Sequence, residues 1–158
     1  MMLAVVTFVL TSSTFKPNTT MPIKTVYPRC GGRNISPQLH WRYAPKRTRS
    51  YALIAHDPDA PYPGGWYHWV VYNLPISMTS LHEGALLPPA NLGKTSFNQR
   101  GYGGPCPPPG KAHHYNFTLY ALDVPRVPGS DLTGPQLERA MRGHVLAKFT
   151  LTGLYQTH

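Results

Sequence analysis

The sequence reads as a mainly β chain, an antiparallel β-sandwich carrying one or two short helices near the C-terminus. The 18 prolines and 14 glycines among 158 residues mean that about one residue in five restricts or frees the backbone, which leaves little uninterrupted chain for long helices. Short runs rich in β-branched and aromatic residues, several of them alternating apolar with polar, recur between clusters of turn residues. A length of 158 residues and a hydrophobic content of 41% supply one core, so a single domain over residues 1–158 is expected.

The elements follow in order. Leu3 to Leu10 is apolar, but no Lys or Arg precedes it and the first base is Lys16, so it reads as an opening strand rather than a secretory signal, and the chain is expected in the cytoplasm. From Thr11 to Pro45 the chain is rich in Ser, Thr, Asn, Pro and Gly and reads as ordered loops, with a turn at Cys30-Gly31-Gly32 and a short strand entered through Ser36-Pro37-Gln38-Leu39-His40-Trp41. Tyr51 to His56 and Trp66 to Leu74 are strands. Between them Pro58, Pro61 and Pro63 hold Asp57, Ala60 and Tyr62 extended in a stiff loop.

Residues 83 to 112 form a long irregular stretch, a length that in a compact domain is functional or disordered. His113 to Leu122 alternates, with His113, Tyr115, Phe117, Leu119 and Ala121 on one face and His114 on the other. Thr133 and Gln136 spell a capping box, with Pro135 at the first helical position, Leu137, Ala140 and Met141 on one face, and Gly143 as the stop. Leu146 to Tyr155 alternates again and closes the chain as a strand. No apolar run approaches the roughly 18 residues of a membrane span.

Fifteen Lys and Arg face six Asp and Glu, yet charged residues are only 13% of the chain, so the basicity comes from scarce acids. Lys46, Arg47 and Arg49 form the one small cluster, without a nucleic-acid motif around it; they read as a solvated face that draws anions, and no specific nucleic-acid partner is expected. Cys30 and Cys106 lie on separate loops outside any CxxC zinc pattern, and the sequence leaves open whether they meet.

Asp57 and Asp59 sit two residues apart in the stiff loop, a spacing that in extended chain points both carboxylates the same way and calls for a neutralising histidine, arginine or cation. His68 follows on the next strand, and His113 shares a face with Tyr115; a carboxylate can orient such a ring and raise its pKa. Against this stands a plainer reading, in which the aspartates cap a turn and each histidine is structural. The loop Gly103 to Gly110 brings backbone close to a ligand, with donors at Gly103, Gly104, Cys106, Gly110, Lys111 and Ala112 helped by Tyr102 and His113, and a cis proline would fit there. No GxSxG motif is present, and Cys106 is the one nucleophile near these residues.

Taken together, Asp57-Pro58-Asp59-Ala60-Pro61, His68-Trp69-Val70-Val71-Tyr72-Asn73, Gly101-Tyr102-Gly103-Gly104-Pro105-Cys106-Pro107-Pro108 and His113-His114-Tyr115 resemble the signature of the phosphatidylethanolamine-binding protein family, in its bacterial and archaeal Raf kinase inhibitor-like branch. The resemblance runs from about Leu10 to Tyr155. It implies a β-sandwich with a small anion pocket for phosphate or phosphorylated head groups, lined by Asp57, Asp59, His68, Tyr102, Pro105, Pro108, His113 and Tyr115. In that pocket His68 and His113 donate to the anion, the aspartates orient the rings or meet an ammonium group, and Tyr102 and Tyr115 complete the wall. The implied function is non-catalytic binding, with inhibition of a protein kinase or protease, anionic lipid head groups and a homodimer as further partners, and with no cofactor, metal or catalytic residue. The competing reading is a hydrolase acting on a phosphoester or acyl substrate through the Asp/His cluster. Arg29 and Arg33 near Cys30, and His114 where the family often carries Arg, depart from the pattern.

Overall fold

The computed structural model describes residues 2–158 and arranges them as two antiparallel sheets and one α-helix. The smaller sheet has the order β1 (Val9–Thr11), β2 (Leu39–Arg42), β5 (Ser80–Leu81). The larger runs β4 (Trp66–Pro75), β3 (Ser50–Asp57), β6 (His113–Leu122), β7 (Val145–Tyr155). The helix, α1, spans Gly134–Met141.

Alternation along the strands divides their side chains between two cores. Leu53, Ala55, Trp69, Val71, Phe117, Leu119 and Leu151 face Leu10, Leu39 and Trp41 between the sheets. Ala52, Ile54, Val70 and Tyr72 face Leu137 and Met141 of α1 on the other side. β3 is therefore buried on both faces, which accounts for its unbroken apolar run Tyr51 to Ala55. The capping box of α1 is present, with the Thr133 side chain accepting from the Gln136 N–H and the Gln136 side chain from the Thr133 N–H; Gly134 rather than Pro135 takes the first helical position. Gly143, at φ 80°, follows the last turn.

The opening strand is shorter than the sequence suggests and begins later. Only Val9–Thr11 pairs, because its partner β2 ends at Arg42 and Tyr43, at φ 64°, turns the chain away. Leu3 and Val5 are consequently 84% and 86% exposed. The irregular stretch 83–112 is ordered along the free edge of β4, where Gly93 N–H donates to Val70 O and Ser96 N–H to Tyr67 O, covering the open edge of the sheet.

Candidate functional site

At one end of the inter-sheet core, β3 terminates in Asp57 and β6 begins with His113. The β3/β6 register pairs His56 with Asn116, so Asp57 falls beside Tyr115 on the face that also carries Ala55 and Phe117. His113 Nδ1–H donates to Asp57 Oδ2 at 2.7 Å, with side-chain exposures of 11% and 3%, so the pair is largely buried and His113 is its more accessible member. Asp57 Oδ1 accepts the Asp59 N–H at 2.8 Å, an Asx turn that locks the stiff loop. The turn-capping and ring-orienting roles of Asp57 are thus both filled, one by each oxygen.

His68 reaches this cluster through a register slip. Ala55 pairs with Trp69 while the next residue, His56, pairs with Tyr67, which leaves His68 as the extra residue of a β-bulge. Strict alternation would send it to the helix side with Val70; instead its ring lies 5.1 Å from that of Tyr115. His68 Nδ1–H donates to Gly103 O at 2.6 Å. Burial drives the pKa of His68 down to about 4, against the opposing pull of the Gly103 carbonyl and the Asp57 charge. At neutral pH the ring is uncharged, its one N–H is engaged, and Nε2 carries a lone pair. His68 is therefore an acceptor, where the expectation was that it would donate to an anion.

Tyr115 is buried and its hydroxyl has no hydrogen-bond partner among the described residues. Burial, reinforced by the Asp57 charge, raises its pKa and keeps the phenol protonated as a donor. The Tyr102 hydroxyl is already engaged, donating to Thr25 O at 2.9 Å, so Tyr102 braces the loop rather than presenting its hydroxyl to a ligand.

The Pro-rich loop is held from below by the segment Thr25 to Asn34. Asn34 Nδ2–H donates to Tyr102 O at 3.0 Å and Asn34 Oδ1 accepts from Gly104 N–H at 2.7 Å, while Tyr27 N–H donates to Pro105 O at 2.9 Å. Gly104 is required by this approach, since a Cβ there would lie 2.0 Å from the Thr25 carbonyl oxygen. A disulfide between Cys30 and Cys106 adds a covalent tie across the same contact. Of the backbone donors expected to hold an anion, Gly103 N–H is given to His68 O, Gly104 N–H to Asn34 and Gly110 N–H to Thr157 O. Pro105 is buried, Pro108 is exposed, and the described residues contain no cis peptide bond, so the loop does not use the cis proline that would have fitted there.

Asp59 takes a different direction from Asp57. Its Oδ2 accepts from the backbone N–H and the Nδ1–H of His114, at 2.8 and 2.7 Å, on the outer face. Burial alone would raise the Asp59 carboxyl, but those hydrogen bonds and the nearby imidazole charges outweigh it and hold it below the usual carboxylate range. The two carboxylates diverge because the chain leaves extended geometry at Pro58, where a turn begins. Two contributors escaped the sequence reading. Asn34, in the left-handed region at φ 55°, had only its neighbouring Gly-Gly turn as a signal. Phe97, whose ring packs 5.5 Å from His68 and 5.4 Å from Trp66, comes from an irregular loop with no periodicity to mark it. No group of three or more His, Cys, Asp or Glu among the described residues is arranged to hold a metal ion.

The family model for phosphatidylethanolamine-binding protein matches residues 11–156. The chain belongs to that family. Within it, the chain is similar to the UPF0098 proteins of Escherichia coli, at 37% identity to YbcL over 80% of this chain and 74% of that one, and 35% identity to YbhB over 92% and 98%. The crystal structure of E. coli YbcL, described as a member of the mammalian PEBP family, superposes with a TM-score of 0.90 at 34% identity over 96% of this chain and 99% of that one. A PEBP homologue from Chlamydia trachomatis, CT736, gives 0.85 at 37% identity, covering 96% and 98%. The two E. coli relatives are UPF0098 proteins, and the fold of this chain is shared with both solved structures. No helix among the described residues is long and apolar enough to cross a membrane.

Proposed function

We propose that this family member binds a small phosphate-bearing anion, without turning it over, at the cluster of Asp57, His68, His113 and Tyr115. The observation that supports this best is the buried Asp57–His113 pair beside a buried tyrosine hydroxyl that lacks a partner. Asp57 holds Nδ1 of His113, so Nε2 is the ring nitrogen left to donate to an anion when the ring is protonated, and Tyr115 supplies a second donor. His68 offers the complementary acceptor, which suits a phosphate that keeps one proton or a ligand that carries an ammonium group beside its phosphate. Phosphatidylethanolamine-type head groups have both features, and half-exposed Asp59 at the rim is placed to meet the cation.

Inhibition of a protein kinase or protease is the extension of this reading in which a phosphorylated or acidic segment of the partner enters the same site. The Cys106 sulfur is bonded to Cys30 and offers no nucleophile, so the hydrolase alternative is left with acid–base chemistry at the Asp/His cluster. The same bond argues for an oxidising compartment rather than the cytoplasm expected from the N-terminal residues, since disulfides persist where thiols are not kept reduced.

Titration of the protein with phosphate, phosphorylethanolamine and O-phosphoserine, followed by NMR chemical-shift mapping, tests the proposal. Saturable shifts at Asp57, His68, His113 and Tyr115 are expected, with affinity reduced about 10- to 100-fold in a folded His113→Ala variant, the scale of one charge-assisted hydrogen bond. Absence of shifts at millimolar ligand, or release of inorganic phosphate that depends on His113, would contradict it.

A further inference from the structure

The opposite end of the sandwich carries a second surface that the binding site does not explain. There Ser50 pairs with Pro75 and Leu122, and Leu122 pairs with Val145, so the residues flanking those positions share one end. Arg42, Lys46, Arg47, Arg49, Arg142 and Lys148 are all exposed around it. One acid lies among them, Asp123, and it is already hydrogen-bonded to His144 at 2.9 Å with Arg47 3.8 Å away. The remaining acids are engaged elsewhere: Asp57 and Asp59 at the anion site, Glu83 with Lys24, Asp131 with Arg100 and Glu138 with Tyr67.

Between these bases the two sheets part around an open groove of about 710 Å³, walled by Val6, Phe8, Tyr43, Pro45 and Ala147, with Lys46 and Lys148 on its lining. Val6 is 62% and Tyr43 50% exposed, and Ile76 and Val145 add further apolar surface at the same end. Tyr43 adopts φ 64°, a conformation that costs a bulky residue energy, and at half exposure it recovers little of that through packing. The Arg42 guanidinium lies over its ring at 4.8 Å. An exposed aromatic kept in strained backbone, next to an apolar groove and inside a ring of bases, has the chemistry of an interfacial surface.

We propose that this end of the molecule docks on an anionic lipid bilayer, with Tyr43 and the groove walls entering the head-group layer and the surrounding bases facing lipid phosphates. A second copy of the chain is disfavoured as the occupant, because a two-fold contact would set one ring of bases against another. Nucleic acid would answer the charge and leave the apolar groove unused. The inference does not depend on the anion site, which lies at the far end of the same strands.

Flotation of the intact protein with vesicles of phosphatidylcholine alone, and with vesicles containing about 30 mol % phosphatidylglycerol, tests this at low salt. Binding to the anionic vesicles only is expected, falling at least tenfold in the Lys46→Glu/Lys148→Glu double variant and several-fold in Tyr43→Asn, where asparagine suits the positive φ and the fold is kept. Binding should be unchanged by His113→Ala and by excess phosphorylethanolamine, and should disappear at about 0.5 M salt. Failure to float with anionic vesicles, equal binding to both kinds, or loss of binding in His113→Ala would overturn the proposal. So would a dimer in sedimentation that the same Lys variants dissociate, or binding to a DNA duplex while the vesicles are ignored.

Discussion

His68 and His113 each commit Nδ1 to an oxygen, but to oxygens of different kinds. A carbonyl oxygen accepts from His68, and burial keeps that ring neutral; a carboxylate accepts from His113. The depressed pKa of His68 has a thermodynamic consequence. With a folded value of about 4 and an unfolded value near 6.5, the unfolded chain takes up a proton that the folded chain refuses. The contribution of the neutral, buried ring is therefore fully present above about pH 6.5 and is lost as pH falls through about 4, to the extent of roughly 3 kcal/mol. Denaturation at a series of pH values between these limits should show a steeper loss of stability for the native protein than for His68→Asn, which keeps a donor to Gly103 O. Equal slopes would mean that His68 is not the buried neutral base described here. At this scale the sequence marked Asp57, His68, His113 and Tyr115 by residue type, but the family resemblance made both histidines donors. The acceptor role of His68 depends on the Gly103 carbonyl, which reaches the site from a distant loop that the Asn34 side chain braces.

Among the elements, alternation predicted β6 to its end residues and β7 to within one, since both are long strands with one face on the core. Two breaks in regularity lay beyond its reach. The bulge in β4 puts His68 on the site face, and nothing in a period-two pattern announces an inserted residue. The turn at Pro58 separates the carboxylates of Asp57 and Asp59, which extended spacing would have aligned. The loop and the segment beneath it behave as one element through the Cys30–Cys106 bond, which spans 76 residues of sequence. A Cys30→Ser/Cys106→Ser variant should lose about 2 to 5 kcal/mol in urea unfolding, because the bond restrains the unfolded chain over a long loop. An unchanged midpoint would show that the hydrogen bonds of Asn34 and Tyr27 suffice to hold the loop.

Across the whole molecule, the scarcity of acids decides how charge is laid out. Asp57 and Asp59 balance histidines at one end of the sandwich, while the other end carries six exposed bases around a single engaged aspartate. Composition revealed the excess of bases but not this grouping of six, because Arg42, Arg142 and Lys148 come together with the 46–49 loop only once the strands are paired. Two ends with different chemistry would let the protein meet an anionic surface with one and hold a soluble or lipid-borne anion with the other. The anion site carries the functional reading, and imidazole-nitrogen NMR of the protein titrated with inorganic phosphate reaches it directly. The account predicts that His113 Nε2 shifts saturably as it becomes the donor to phosphate, while His68 stays neutral with its proton on Nδ1 and its Nε2 signal moves as an acceptor. Ring nitrogens that do not respond to phosphate, or a His68 ring found protonated at neutral pH, would contradict it.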